Sequence, residues 1–151
     1  MNILNPNQTI SSDDLNANFS GLADGTEIQD NAILARHIEV GVWHIVGEAG
    51  EPAYENSWVA YDSDTQYGGA EFMKDAYGFV HLRGLVKSGV INADVFTLPE
   101  AYRPAYRHLF PVQQGSNTMQ RLDVDDSGYV RLVAGTNNYL SLNGIKFQAG
   151  G

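Results

Sequence analysis

Two stretches of the chain alternate between apolar and polar side chains, and this alternation constrains the fold more than any other feature. In residues 77–87, Val80, Leu82 and Val86 fall on one face of an extended chain, and in residues 128–134 Val130 and Leu132 do the same. A period of two is typical of a strand with one buried face. We therefore expect sheet structure in both stretches.

Turn signals flank these stretches. Asp75 with Gly78 precedes the first and Asp126 with Gly128 the second. Glycine readily adopts a positive φ and aspartate accepts hydrogen bonds from nearby backbone amides, so both pairs predict hairpin turns. Residues 143–144, Asn-Gly, predict a two-residue hairpin between the last two strands.

Further short strands are predicted up to the C-terminus, and no long helix is expected after Gly41. Many short strands separated by turns favour a mainly β fold, an antiparallel β sandwich that is jelly-roll-like, over a parallel α/β fold. The additional strands are expected near residues 42–46, 57–61, 70–74, 94–98, 108–113, 118–124, 138–142 and 145–148.

The composition changes near Gly41. Residues 1–41 hold a single aromatic residue, whereas residues 42–151 hold every Trp and Tyr. Leu15, Phe19 and Leu22 form one narrow apolar stripe after a capping serine, which predicts a short helix. A helix of this length is marginal alone, so it either folds back on the β domain or packs against copies of itself. We predict an N-terminal helical or extended attachment and trimerisation segment, 1–41, before a β-sandwich domain, 42–151.

Charge and composition exclude several classes of function. The formal net charge of −9 disfavours nucleic acid and anionic membrane surfaces as partners. No apolar run is long enough to span a bilayer, and the N-terminus lacks the pattern of a signal peptide. The absence of cysteine excludes disulfides, thiolate metal sites and a cysteine nucleophile.

The motifs for metal binding and catalysis are incomplete. Residues 123–128 open like a calcium loop, but Ala134 stands where a bidentate glutamate is needed, which favours an acidic hairpin turn. The chain has neither a nucleophile elbow nor a phosphate-binding loop. Carboxylate pairs for glycoside hydrolysis are defined in space and stay open at this point. We predict no catalytic residue, no metal and no cofactor.

Aromatic residues are concentrated between residues 54 and 79, with Trp58 and Phe72 expected in the core. Tyrosine rings stack on sugars, and carboxylates and amides bind sugar hydroxyls. This combination predicts a saccharide site that includes Tyr54, Tyr61, Asp62, Asp64 and Tyr67. The loop with Asn137, Asn138 and Tyr139 is the next candidate if that region does not bind.

One longer pattern resembles a known family. Residues 78–89, GFVHLRGLVKSG, are followed by residues 95–104, VFTLPEAYRP. This order resembles the C-terminal β domains of tailed-bacteriophage tail fibres, receptor-binding proteins and baseplate proteins. The prolines force extended geometry, and Tyr102 between them is expected to close the edge of a sandwich, so we interpret the motif as structural.

The resemblance implies a bacteriophage virion protein without enzymatic activity. The expected protein is a homotrimeric tail fibre or receptor-binding protein that binds a host-surface saccharide and attaches to other tail or virion proteins through residues 1–41. It would be made in the host cytoplasm without a signal peptide and would act on the virion. The alternative is a purely structural collar, baseplate or capsid-decoration protein.

Overall fold

Short strands joined by turns and loops form the chain from Gly41 onward in the computed structural model, which describes residues 41–62, 66–114 and 118–150. A short 3-10 helix, Glu100–Tyr102, is the one helical element in these ranges, and no described helix is long and apolar enough to cross a membrane. The strands are β1 (His44–Ile45), β2 (Val59–Ala60), β3 (Glu71–Lys74), β4 (Phe79–Arg83), β5 (Leu85–Lys87), β6 (Asp94–Thr97), β7 (His108–Gln114), β8 (Thr118–Val124), β9 (Tyr129–Ala134), β10 (Leu140–Ser141) and β11 (Ile145–Gln148).

These strands pair into three antiparallel sheets. Sheet A has the order β1-β3-β4-β11, sheet B the order β10-β5-β2, and sheet C the order β6-β9-β8-β7. Side chains from all three sheets contribute to one hydrophobic cluster. The predicted antiparallel β sandwich is therefore confirmed, whereas the predicted helix and trimerisation segment lie outside the described residues.

The chain crosses from sheet A to sheet B at Gly84, between β4 and β5. This residue has a φ of 103°, and a Cβ here would collide with the carbonyl oxygen of Gly69. The Gly84 amide donates to Asn143 Oδ1 at 2.9 Å, and its carbonyl accepts from the Leu142 amide at 2.9 Å. The two sheets are thus joined by a glycine that has room for no side chain.

The turn at Asn143 and Gly144 differs from the predicted hairpin. It connects β10, which pairs with β5 in sheet B, to β11, which pairs with β4 in sheet A. The prediction that these two strands pair with each other was wrong. Strands β10 and β11 lie beside β5 and β4, which belong to different sheets because the chain changes sheets at Gly84. Strand β10 therefore pairs with β5, and β11 pairs with β4.

The core follows the alternation in the sequence. Val80, Val86, Val130 and Leu132 are fully buried and Leu82 is nearly so. The predicted core residues Trp58 and Phe72 are also buried. Full burial of one such apolar side chain stabilises the fold by about 1.5–3 kcal/mol.

The turns that connect β3 to β4 and β8 to β9 share one hydrogen-bond pattern. Asp75 Oδ1 accepts hydrogen bonds from the amides of Tyr77 at 3.0 Å and Phe79 at 2.9 Å. Asp125 Oδ1 accepts from the amides of Ser127 and Tyr129, both at 3.1 Å. The second turn was predicted around Asp126, which is exposed. Asp125 takes the role because it lies three residues before the turn glycine, as Asp75 does.

The tyrosine of the proline-flanked motif packs on the core. The Tyr102 ring lies 4.9 Å from the Phe72 ring in an edge-to-face contact, and its hydroxyl lies 2.7 Å from His44 Nε2. His44 Nδ1 in turn lies 2.8 Å from Glu51 Oε1. The motif thus belongs to the packing of the sandwich.

Candidate functional site

The solvent face of sheet B brings together residues from distant parts of the sequence. Leu85 pairs with Ser141 on one side, and the Tyr61 amide donates to the Leu85 carbonyl at 2.9 Å on the other. Paired residues of antiparallel strands point to the same face. Lys87, two residues beyond Leu85 in β5, lies on this face too, and Tyr139 immediately precedes β10.

Three tyrosines meet on this face. The Tyr61 ring lies 5.7 Å from the Tyr67 ring and 6.2 Å from the Tyr139 ring, measured between centroids. Both neighbours are nearly perpendicular to Tyr61, at 83° and 82°. Lys87 Nζ lies 4.9 Å from the centroid of the Tyr61 ring, which is a cation–π distance. Tyr61 is therefore the central ring of the cluster.

An open groove of about 290 Å³ runs beside these rings. Its walls combine aromatic faces with amide and hydroxyl groups, and none of the described lining residues is acidic. We call it the tyrosine groove. It is lined by Tyr61, Tyr67, Leu85, Gln113, Tyr139, Ser141 and Asn143.

Tyr54 does not line the tyrosine groove. Its ring packs against the core cluster, and its hydroxyl accepts a hydrogen bond from the Ala70 amide at 2.7 Å. Burial raises the pKa of this hydroxyl above its ordinary value of 10.0. The structure thus places this residue of the predicted site in the packing beneath the sheets.

The remaining predicted residues divide between the groove and its surroundings. Tyr61 and Tyr67 line the groove, and half of the Tyr67 surface is exposed. Asp62 is half-buried next to Tyr61 and is not a lining residue. Asp64 lies outside the described residues.

Tyr139, which the sequence offered only as an alternative, belongs to the same groove as Tyr61. Leu85, Gln113, Ser141 and Asn143 were missed. Position on the solvent face of a strand could have suggested Ser141. No local signal indicates that β7, which belongs to sheet C, brings Gln113 to the edge of sheet B.

A second, smaller cleft of about 80 Å³ lies on the outer face of sheet C. Its charges are paired, with Arg121 on Asp123 at 2.8 Å, Arg131 on Asp94 at 2.7 Å and Arg107 near Asp125 at 3.3 Å. The hydrogen bond to Asp123 raises the pKa of Arg121, and that to Asp94 raises the pKa of Arg131. Asp123 and Asp125 of the calcium-like segment are thus bonded by arginines, and Asp125 also by the turn backbone.

The tyrosine groove lies at the opposite end of β4 from the point where the chain enters the domain. Gly41 packs so closely against the carbonyl oxygen of Lys74 that a Cβ would collide with it. Lys74 pairs with Val80 near the start of β4, whereas Asn143 of the groove bonds to Gly84 just beyond its end. At about 3.4 Å per residue, the five residues of β4 separate the two ends by roughly 14 Å.

Comparison with solved structures finds a similar fold. No family model and no curated protein sequence matches the chain. Among solved structures, the receptor binding protein gp15 of Listeria phage PSA is similar, with a TM-score of 0.67 and 17% sequence identity. The match covers 97% of this chain and 83% of that chain. At this identity the likeness shows a shared fold.

Proposed function

We propose that this chain is a bacteriophage tail protein with a receptor-binding role, which binds a host-surface saccharide in the tyrosine groove without catalysis. Two independent observations support the phage assignment. The fold is similar to that of a phage receptor binding protein, and residues 78–104 resemble a pattern of tail-fibre β domains.

The single observation that carries the saccharide proposal is the cluster of three tyrosines around an open groove. Sugar rings present flat apolar faces that stack on aromatic rings, and their hydroxyls need hydrogen-bonding partners. Tyr61, Tyr67 and Tyr139 provide the rings. Ser141 and Asn143 provide polar groups beside them.

Binding without turnover is part of the proposal. Most glycoside hydrolases use a pair of carboxyl groups that flank the scissile bond. The described lining of the tyrosine groove supplies amides, hydroxyls and aromatic rings instead. This lining favours recognition over hydrolysis.

The proposed attachment to the virion is through the N-terminal segment. The chain enters the domain beside Lys74, and the groove lies at the other end of β4. In the proposed arrangement, residues 1–41 hold three copies together and attach them to other tail or virion proteins.

A glycan array tests the proposal directly. We expect the full-length protein to bind a defined set of saccharides saturably. Tyr139→Ala should weaken that binding, because an aromatic contact contributes about 0.5–1.5 kcal/mol beyond area burial, up to roughly tenfold in Kd. Tyr106→Ala is the matched control, since Tyr106 is 80% exposed and is not a lining residue.

The array also distinguishes the receptor-binding proposal from a purely structural role. A purely structural collar, baseplate or capsid-decoration protein has no reason to bind glycans saturably. Failure of the full-length protein to bind any host cell-surface preparation would overturn the receptor proposal.

A further inference from the structure

Gln120 is a buried polar side chain on the inner face of sheet C, with only 3% of its surface exposed. Its neighbours on the same face of β8, Leu122 and Val124, are fully buried and apolar. A polar group among apolar ones is costly unless its hydrogen bonds are made inside the protein. Its partners should therefore reveal its role.

The nitrogen and the oxygen of the Gln120 side-chain amide both form hydrogen bonds with the loop that carries Tyr139. Nε2 donates to the Tyr139 carbonyl at 3.0 Å, and Oε1 accepts from the Thr136 amide at 2.9 Å. One side chain thus holds both ends of residues 136–139. Gly135 leaves the space for this contact, since a Cβ there would collide with Gln120 Oε1.

The middle of the same loop forms hydrogen bonds with the backbone of Ser88 and Gly89. Asn137 Nδ2 donates to the Gly89 carbonyl at 2.8 Å, and the Ser88 amide donates to the Asn137 carbonyl at 2.8 Å. Tyr139 itself lies outside the paired strands of sheet B, because β10 begins at Leu140. The position of its ring in the tyrosine groove therefore depends on these loop contacts.

We propose that Gln120 is a positioning residue for the tyrosine groove: it fixes the 135–139 loop so that Tyr139 stands perpendicular to Tyr61 before any ligand binds. This inference rests on the proposed saccharide-binding function. A site formed in advance avoids the entropy of ordering a loop on binding. Loss of Gln120 should therefore weaken binding although Gln120 is not among the lining residues.

The first arm of the test uses the protein without ligand. Gln120→Met keeps the approximate volume and removes both hydrogen bonds. We expect the ring-to-ring NOE between Tyr61 and Tyr139 to disappear and the Thr136 amide to exchange faster with solvent. Val130→Ala, a core change near the far end of β9, is the control for general loss of stability and should leave the NOE in place. An intact NOE in folded Gln120→Met would overturn the proposal.

The second arm is a double-mutant cycle on affinity for the saccharide that the full-length protein binds. Gln120→Met alone should weaken binding by up to the loss seen in Tyr139→Ala, roughly tenfold. In the Tyr139→Ala background it should have almost no further effect, because its action passes through that ring. Additive losses would show a general structural role and overturn the proposal.

Asn137→Ala provides a milder variant in case Gln120→Met does not fold, since it removes one part-buried hydrogen bond that holds the same loop. It should lower affinity in the parent and not in the Tyr139→Ala background. Additive losses here too would count against the proposal. Failure of the function itself is distinguishable: the full-length protein would then bind no saccharide, while the NOE arm would still report on the role of Gln120.

Discussion

The rings of Tyr61 and Tyr139 meet at 82° with their centroids 6.2 Å apart, although one follows β2 and the other precedes β10. Strand β5 brings them together, because it pairs with both strands in sheet B. The groove beside them is thus a product of sheet topology. Neither tyrosine alone marks it in the sequence.

Substitution of Tyr54 should lower the stability of the fold without changing saccharide binding. Tyr54→Phe leaves the Ala70 amide without its present partner, and an unsatisfied buried donor costs about 1–3 kcal/mol. We expect a lower melting temperature and unchanged saccharide affinity, measured on the same samples. Weakened affinity without a change in melting would instead restore Tyr54 to the binding site, as the sequence first indicated.

The crossing between sheets should be sensitive to a single methyl group. Gly84→Ala forces a Cβ onto the Gly69 carbonyl, whereas Gly144→Ala has open space around its Cβ. Both glycines have positive φ, so both changes carry a strain of about 1–2 kcal/mol. Chemical denaturation should show a clearly larger loss of unfolding free energy for Gly84→Ala. Equal losses would mean that the contact at Gly84 relaxes freely.

Asp75 should make the first turn sensitive to acid. Its Oδ2 lies 2.8 Å from His81 Nε2, and this hydrogen bond, with those from the Phe79 and Tyr77 amides, holds the pKa of Asp75 below its ordinary value of 3.8. A depressed pKa stabilises the fold at higher pH, and that contribution is lost as pH falls through the folded-state value.

The corresponding measurement is the melting temperature of the parent and of Asp75→Asn at pH 7 and near pH 3. The parent should melt higher at pH 7, and the difference should shrink as pH falls below 3.8, because the stabilising contribution of the ionised Asp75 carboxyl then declines. Asp126→Asn, at an exposed position in the second turn, is the control and should differ little from the parent at either pH. A difference for Asp75→Asn that is the same at both pH values would refute the assignment.

The N-terminal segment carries the predicted self-association. Deleting residues 1–41 should leave a folded β domain with weakened self-association, because the stripe of Leu15, Phe19 and Leu22 is removed. Light scattering of the full-length and truncated proteins decides the question. A truncated protein that remains trimeric would place the assembly contacts in the sandwich.

Much of the fold was predictable because it depends on local patterns. Alternation placed Val80 and Leu82 in the core, and Asp75 with Gly78 gave the first turn. The pairing of β10 was not predictable from Asn143 and Gly144, since a turn fixes the direction of the chain and leaves the choice of sheet open. That choice depends on the change of sheet at Gly84.

The candidate site was only partly predictable for a related reason. The local density of tyrosines pointed to Tyr61 and Tyr67, and it also included Tyr54, whose hydroxyl bonds to the backbone beneath the sheets. Density in sequence does not distinguish an inward ring from an outward one. Gln120 was missed: it lies on the same face of β8 as Leu122 and Val124, but its partners in the loop of residues 135–139 became evident only from the structure.

The most direct test of the central claim is NMR mapping of the saccharide selected on the array, titrated into isotopically labelled protein. We predict that the largest shift changes fall on Tyr61, Leu85, Tyr139 and Ser141 around the tyrosine groove. Residues at the entry end of the domain, such as Tyr77 and Gly150, should not respond. Shift changes confined to the entry end, or to the outer face of sheet C, would contradict the assignment of the groove as the binding site.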